Sequence, residues 1–182
     1  MLYIIRHGLT DWNVRHKLQG QTETGLNAEG IRMAEEARDK YADIHFDVCY
    51  CSPILRARQT ADIMLEGRDI EIIYDDRLKE IKFGTFEGVE NAYHLKDSPI
   101  VNFFKNPEMY EAPEGGESIV ELAARTGDFL KEVALPLVDE GKDVLIVGHG
   151  AMNSSIIMQI RNNPISKFWD EPIENCVLKK LI

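Results

Sequence analysis

Cysteine is scarce, with three in 182 residues. Cys49 and Cys51 fall on one face of a strand and Cys176 is far away, so the pattern offers neither a disulfide framework nor a metal-ligand spacing. Long apolar runs are missing too: none approaches the roughly 18 residues a membrane-spanning helix needs. The first residues form a short strand followed by charge, unlike a signal peptide. Positive charge is in the minority, 21 Lys and Arg against 31 Asp and Glu, for a net charge of −10. That excess argues against nucleic acid or an anionic membrane as partner. It leaves room for a small anionic ligand, because a few arginines can reverse the field inside one cleft. No repeat, low-complexity tract or interdomain linker is present. These absences point to one domain in a reducing cytoplasm, and the length is ample for a full hydrophobic core.

What is present starts at residue 2. Leu2-Tyr3-Ile4-Ile5 is an apolar strand that runs into Arg6-His7-Gly8, and Val144-Leu145-Ile146-Val147 is another that runs into Gly148-His149-Gly150. Each sets an imidazole at the carboxyl end of a buried strand. In α/β proteins ligands bind at such ends, beside helix amino termini that attract anions. The glycine after His7 predicts a sharp turn and a close approach to ligand.

Between the two strands the pattern alternates. Asn27 is placed to cap a helix running to about Tyr41, with Met33, Ala34, Ala37 and Tyr41 on one face. A second strand covers Phe46 to Cys51. Ser52-Pro53 reads as an N-cap with proline at the first helical position. In the helix it would open, Ala57, Thr60, Ala61 and Met64 are the core stripe and Arg56 lies off it in the first turn. Ile70 to Tyr74 is a third strand. Ser118 and Glu121 form a capping box, opening a long helix with Ile119, Leu122, Thr126, Phe129, Leu130 and Val133 buried and with Pro136 expected to kink or end it. A helix follows from about Gly150, and a last strand covers Cys176 to Leu181. The expectation is an α/β fold, a three-layer α/β/α sandwich with a largely parallel central sheet, as a single domain over residues 1–182. Residues 88 to 116 break the rhythm with Tyr93, His94, Lys96, Phe103, Phe104, Lys105 and Tyr110 among prolines, glycines and acids, as an inserted lid or specificity segment would.

Phosphoryl transfer through histidine needs a neutral imidazole, since a protonated ring has no lone pair to attack with. Neighbouring arginines disfavour protonation and neutralise phosphoryl oxygens. A carboxyl group must protonate the leaving alcohol. Glu80, in the turn-rich stretch Arg77-Leu78-Lys79-Glu80-Ile81-Lys82-Phe83-Gly84, is the candidate. Taken singly, each of these residues has an ordinary explanation: a hydrogen-bonded turn histidine, a solvated helix arginine, a surface carboxylate between lysines. The combination carries the reading. No metal or other cofactor is expected, and the five histidines show no ligand spacing.

Ile5-Arg6-His7-Gly8-Leu9-Thr10-Asp11-Trp12-Asn13 resembles the signature of the histidine phosphatase superfamily, the phosphoglycerate mutase-like proteins. Cys51-Ser52-Pro53-Ile54-Leu55-Arg56-Ala57-Arg58-Gln59-Thr60-Ala61 is similar to the family's second-arginine helix. The stretch from Leu78 to Gly88 is similar to its general-acid loop. Gly115-Gly116-Glu117-Ser118 and Val147-Gly148-His149-Gly150 complete the order. The resemblance covers essentially the whole chain. It implies that His7 is the nucleophile, that Arg6, Arg56 and His149 build the phosphate pocket with Gly150, and that Glu80 is the proton donor. It also implies phosphate contacts from Asn13 and Gln19. Glu117 and Ser118 match a family motif that the capping box already explains. In Gly20-Gln21-Thr22-Glu23-Thr24-Gly25-Leu26, glutamine stands where the family often has tryptophan.

Phosphatases and cofactor-dependent mutases share this pattern. The stretch from Glu80 to His149 lacks the longer arginine-bearing insertion of resembling mutases, and a shorter lid admits water more readily. The acid loop is also more similar to the phosphatase branch, including alpha-ribazole and broad-specificity phosphatases. The expected activity is metal-independent hydrolysis of a small-molecule phosphomonoester. A 2,3-bisphosphoglycerate-dependent mutase and a non-catalytic phospho-ligand binder are the alternatives.

Overall fold

The computed structural model describes residues 1–182. Five strands form one sheet: β1 (Leu2–Arg6), β2 (Val48–Cys51), β3 (Glu71–Tyr74), β4 (Val144–Gly148) and β5 (Leu178–Lys180). Their spatial order is β3-β2-β4-β1-β5, with β5 antiparallel to β1 and every other pairing parallel. The helices are α1 (Asp11–Val14), α2 (Ala28–Lys40), α3 (Leu55–Met64), α4 (Pro99–Lys105), α5 (Ile119–Phe129), α6 (Leu135–Asp139) and α7 (Gly150–Ile160).

β1 and β4 read as continuous apolar runs because helices cover both faces. Leu2, Ile4, Val144 and Ile146 enter one core with Leu122 and Phe129 of α5 and Met152 and Ile156 of α7. Tyr3, Ile5, Leu145 and Val147 enter the other with Ala34 and Ala37 of α2 and Ala57, Ala61 and Met64 of α3. This is the expected three-layer sandwich. Parallel register sets Ile5 opposite Val147 and Arg6 opposite Gly148. His7 and His149 therefore leave adjacent strand ends side by side, although nearly the whole chain separates them.

Several local expectations change. The helix expected after Ser52-Pro53 starts only at Leu55, with Ile54 at the N-cap and no side-chain cap. The Ser52 hydroxyl accepts from the Ile54 N–H at 3.3 Å and also meets His149 Nε2 at 2.7 Å. Pro136 does not end its helix. A π-helical turn, Leu130–Ala134, joins α5 to α6, and the wider turn accommodates the proline's missing N–H. Strands β2, β3 and β5 are shorter than their apolar runs, and Cys176 sits outside β5 at φ +57°. Asn27 and Ser118 do cap α2 and α5, the latter in a full capping box with Glu121.

The 88–116 segment is more ordered than an open loop. It holds 3-10 turns at Ala92–His94 and Pro107–Met109 around α4. Phe103 is 1% exposed, ringed by Phe83, Phe104, Tyr110 and Trp169 at centroid distances of 4.9–5.3 Å. The Trp169 indole N–H donates to the Phe103 carbonyl at 2.7 Å, tying this segment to the stretch after α7.

Gly8 is also required by packing within the fold. A Cβ there would lie 2.5 Å from the Gly30 carbonyl oxygen, and one on Gly30 would lie 2.0 Å from the Leu9 carbonyl oxygen. The two glycines let α2 press against the loop after β1. Gly30→Ala tests this. Helix propensity alone favours alanine by about 1 kcal/mol, whereas a forced backbone shift costs about 1–3 kcal/mol. The expected outcome is a lower denaturant midpoint, and an equal or higher midpoint would refute the packing account.

Candidate active site

His7 is 2% exposed. Its Nδ1 lies 2.7 Å from the Gly8 carbonyl oxygen. A carbonyl can only accept, so Nδ1 carries the proton and Nε2 holds the lone pair. The Arg56 Nε–H donates to that lone pair at 3.2 Å, which agrees with the same tautomer. The backbone around the ring is pinned: Asn175 Nδ2 donates to the His7 carbonyl at 2.6 Å, and the Gly8 N–H donates to Thr60 Oγ1 at 3.0 Å. Burial, then the charges of Arg56 and Arg6, push the His7 pKa well below the ordinary imidazole range.

Arg56 was expected off the core stripe, yet it is wholly buried. The loop before α2 explains this, since its guanidinium donates to the carbonyls of Gly20 (2.7 Å) and Thr22 (2.9 Å) and to Thr24 Oγ1 (3.2 Å). Burial lowers its pKa to about 10, which leaves it charged at neutral pH. Arg6 is different. Its Nε is buried without a partner, and its one hydrogen bond, to the Ile173 carbonyl, is long at 3.5 Å.

His149 lies fully buried beside His7, ring centroids 5.2 Å apart. Nε2 meets Ser52 and Nδ1 has no partner. Burial followed by the Arg56 charge holds this ring neutral as well. Two buried polar atoms thus lack partners beside the nucleophile candidate, Arg6 Nε and His149 Nδ1. Unpaired buried polar atoms are costly, so an anion that accepts from Arg6 Nε, on the cavity wall, binds with the gain of removing that cost.

Glu80 is 9% exposed and accepts three backbone N–H bonds, from Ile81 (2.9 Å), Met152 (3.0 Å) and Ala151 (3.1 Å). Residues 151 and 152 are the second and third of α7, whose N-cap His149 supplies no side-chain bond. Glu80 therefore caps α7 from a distant loop. Gly150 lies between Glu80 and Arg6: a Cβ there would be 3.6 Å from Arg6 Cζ and 3.7 Å from Glu80 Oε2.

Arg6, His7, Arg56 and Glu80 line a cavity of about 240 Å3 that also takes in Asn13, Gln19 and Gly150, whereas His149 is not part of its lining. The Asn13 amide oxygen accepts from the Thr10 backbone N–H, and that of Gln19 from the hydroxyls of Thr10 and Thr24. Their NH2 groups remain as donors. Tyr93, Phe103, Phe104 and Trp169 form an aromatic wall, and His16 and Lys17 are also in the lining. Exposed His94, Lys96 and Lys105 lie outside it. Sequence reasoning missed His16, Lys17, Trp169, Thr60 and Asn175. The aromatic pair Phe168-Trp169 after Pro164 was a readable signal; the others carried none.

Two neutral histidines and Arg6 at the ends of the parallel strands β1 and β4, with Arg56 from the first turn of α3, make a cleft suited to an anion in an α/β fold. The comparisons with known proteins agree. The model of the histidine phosphatase superfamily (branch 1) matches residues 2–182. The chain is 36% identical over 159 residues to the uncharacterized phosphatase PhoE of Bacillus subtilis strain 168, covering 86% of this chain and 75% of that protein. It is 34% identical over 168 residues to a 2,3-bisphosphoglycerate-dependent phosphoglycerate mutase of Parvibaculum lavamentivorans, covering 88% and 79%. The fold matches Bacillus stearothermophilus YhfR with a TM-score of 0.86 at 29% identity, covering 97% of this chain and 88% of that one. The chain belongs to the histidine phosphatase superfamily, whose members are phosphatases or phosphoglycerate mutases. No helix is long and apolar enough to cross a membrane.

The buried histidines set a pH dependence of stability. In the unfolded chain both rings bind protons as pH falls through about 6.5, while in the folded chain they stay neutral to lower pH. Stability is therefore complete above that pH and falls below it, by about 1.4 kcal/mol per pH unit for each such ring. Denaturant titrations between pH 7 and 5 should show a shallower loss in His7→Asn than in the unmutated protein. Parallel pH profiles would contradict the neutral-ring assignment.

Proposed function

We propose that this protein is a metal-independent phosphomonoesterase that acts on a small phosphorylated metabolite through a phosphohistidine on His7. One observation carries the reading. A neutral imidazole with its lone pair on Nε2 lies beside an arginine whose donors are mostly unspent, at the floor of an open cavity. A phosphomonoester entering there takes hydrogen bonds from Arg6, His149 and the amides of Asn13 and Gln19. It also draws the Arg56 Nε–H from the ring to a phosphoryl oxygen, which frees the lone pair to attack. The Nε2–P bond forms as the P–O bond to the alcohol breaks, and Glu80 gives its proton to the leaving oxygen. Water then attacks phosphohistidine, giving a proton back to Glu80, and inorganic phosphate leaves. Arginines placed beforehand supply the charge stabilisation that phosphoryl transfer depends on. The aromatic wall of Tyr93, Phe104 and Trp169 faces the carbon skeleton of the alcohol.

The mutase reading has its own support in relatives that bear that name. It requires the alcohol to be held and re-presented to phosphohistidine with water kept out.

Phosphate release from a panel of phosphomonoesters, with 3-phosphoglycerate among them and chelator present, separates the readings. Release should persist in chelator and fall on the order of 10³-fold or more in His7→Ala. Isomerisation of 3-phosphoglycerate outrunning release would favour the mutase, and release dependent on an added divalent ion would overturn metal independence. Glu80→Gln retains an oxygen for two of the three N–H donors. It should slow alkyl phosphates by about 100-fold or more while sparing p-nitrophenyl phosphate, whose phenolate leaves without a proton. Equal losses on both esters would remove Glu80 as the acid.

A further inference from the structure

Arg125, on the second turn of α5, is a residue to which sequence reasoning gave no role. Its guanidinium faces the backbone of the loop that carries Glu80. Nη1 donates to the carbonyls of Arg77 and Lys79, each at 2.7 Å, and Nη2 donates to the carbonyl of Glu80 at 3.1 Å. The other edge is held by Glu117 in a two-point fork, Nε to Oε1 at 2.6 Å and Nη2 to Oε2 at 2.9 Å. Glu117 grips the same loop further on: its backbone N–H donates to the Lys82 carbonyl at 2.9 Å, and its carboxylate lies 3.3 Å from the Lys82 N–H.

We propose that Arg125 is a positioning residue that fixes the proton donor by clamping the backbone on either side of it, with Glu117 as the anchor of the clamp. This rests on the reading of Glu80 as the acid. Three carbonyls turned toward one point repel one another, and the loop keeps that shape only around a cation with several donors. A planar guanidinium with five N–H groups can serve three carbonyls and a carboxylate at once, whereas an ammonium has three donors and no fork. The Glu80 carbonyl takes a second bond from Gln21 Nε2 at 2.9 Å, and its carboxylate takes the three backbone N–H bonds described above. Main chain and side chain of the donor are thus held from opposite sides, by α5 through Arg125 and by α7 through its first turn. The capping box explains Ser118 but not Glu117, which has this second task.

The acid must reach the leaving oxygen within hydrogen-bond distance, so loosening the loop should act where protonation matters and not elsewhere. Misplacement of a catalytic group by about 1 Å costs up to about 100-fold. Arg125→Lys is expected to slow an alkyl phosphate between about tenfold and a hundredfold, with p-nitrophenyl phosphate turnover nearly unchanged. Inhibition by inorganic phosphate should stay as it is, because Arg6, His7 and Arg56 are untouched. In a Glu80→Gln background the same change should add little. Equal losses on both esters, or full additivity with Glu80→Gln, would overturn the proposal. If Glu80→Gln itself fails to discriminate between the esters, the assignment of the acid fails. If it discriminates and Arg125→Lys does not, only the positioning role fails. Glu117→Gln keeps the guanidinium and weakens its anchor, and it carries the same comparison should Arg125→Lys not fold.

Discussion

An imidazole buried between two guanidinium groups has to remain neutral, and much of this structure can be traced to that constraint. Burial and the charges of Arg56 and Arg6 act in the same direction on His7. The Gly8 carbonyl opposes them but also decides where the single proton resides, on Nδ1. The lone pair is thereby left on the nitrogen that meets Arg56. Holding the strand end in this geometry requires the Thr60 and Asn175 contacts to its backbone and the bare glycine pair that lets α2 approach. The same burial withdraws stability at acid pH, because only the unfolded chain accepts the protons.

Stability and chemistry share atoms again at Glu80. A helix whose first turn lacks a local cap leaves N–H groups exposed to a cost. In α7 the cap comes from a loop that lies some seventy residues earlier in the chain. The carboxylate that satisfies the helix is the one proposed to move a proton. A substitution there therefore tests two things at once, and a comparison between leaving groups is needed to separate them. Glutamine retains most of the cap; alanine would remove all of it.

The strand-to-histidine patterns were legible because buried parallel strands must be apolar on both faces, and parallel register then brings their ends together. Capping at Asn27 and Ser118 was legible because it is local. Arg56 lies in the first turn off the core stripe, as helical spacing put it, but its burial was not legible, because only the distant carbonyls of Gly20 and Thr22 make that burial tolerable. Ser52 was assigned to a helix end by a local rule, and its hydroxyl also meets a tertiary partner, His149. Pro136 sat where a local rule ends helices, and a π turn absorbed it. The lysines of the 88–116 segment lie outside the cavity, whereas Lys17 lines it from a segment that carries no pattern of its own. Long-range partners are what a single sequence hides.

The two arginines differ in how much of their hydrogen-bonding capacity the protein itself consumes. Arg56 is bound by two carbonyls, a threonine hydroxyl and the lone pair of His7 before any ligand arrives. Arg6 has a buried Nε with no partner and one long contact. An incoming dianion therefore gains most from Arg6, since bonds made there replace nothing, while each bond to Arg56 exchanges one acceptor for another. Under the proposed function, this asymmetry suits a site that binds phosphate, transfers it and lets it go. A cleft in which both guanidiniums were unspent would hold the product tightly, and within a chain of net charge −10 the attraction stays local to the floor of the cavity. Arg56 contributes instead by keeping His7 neutral, and in the proposed reaction its Nε–H passes from the ring to a phosphoryl oxygen, which releases the lone pair.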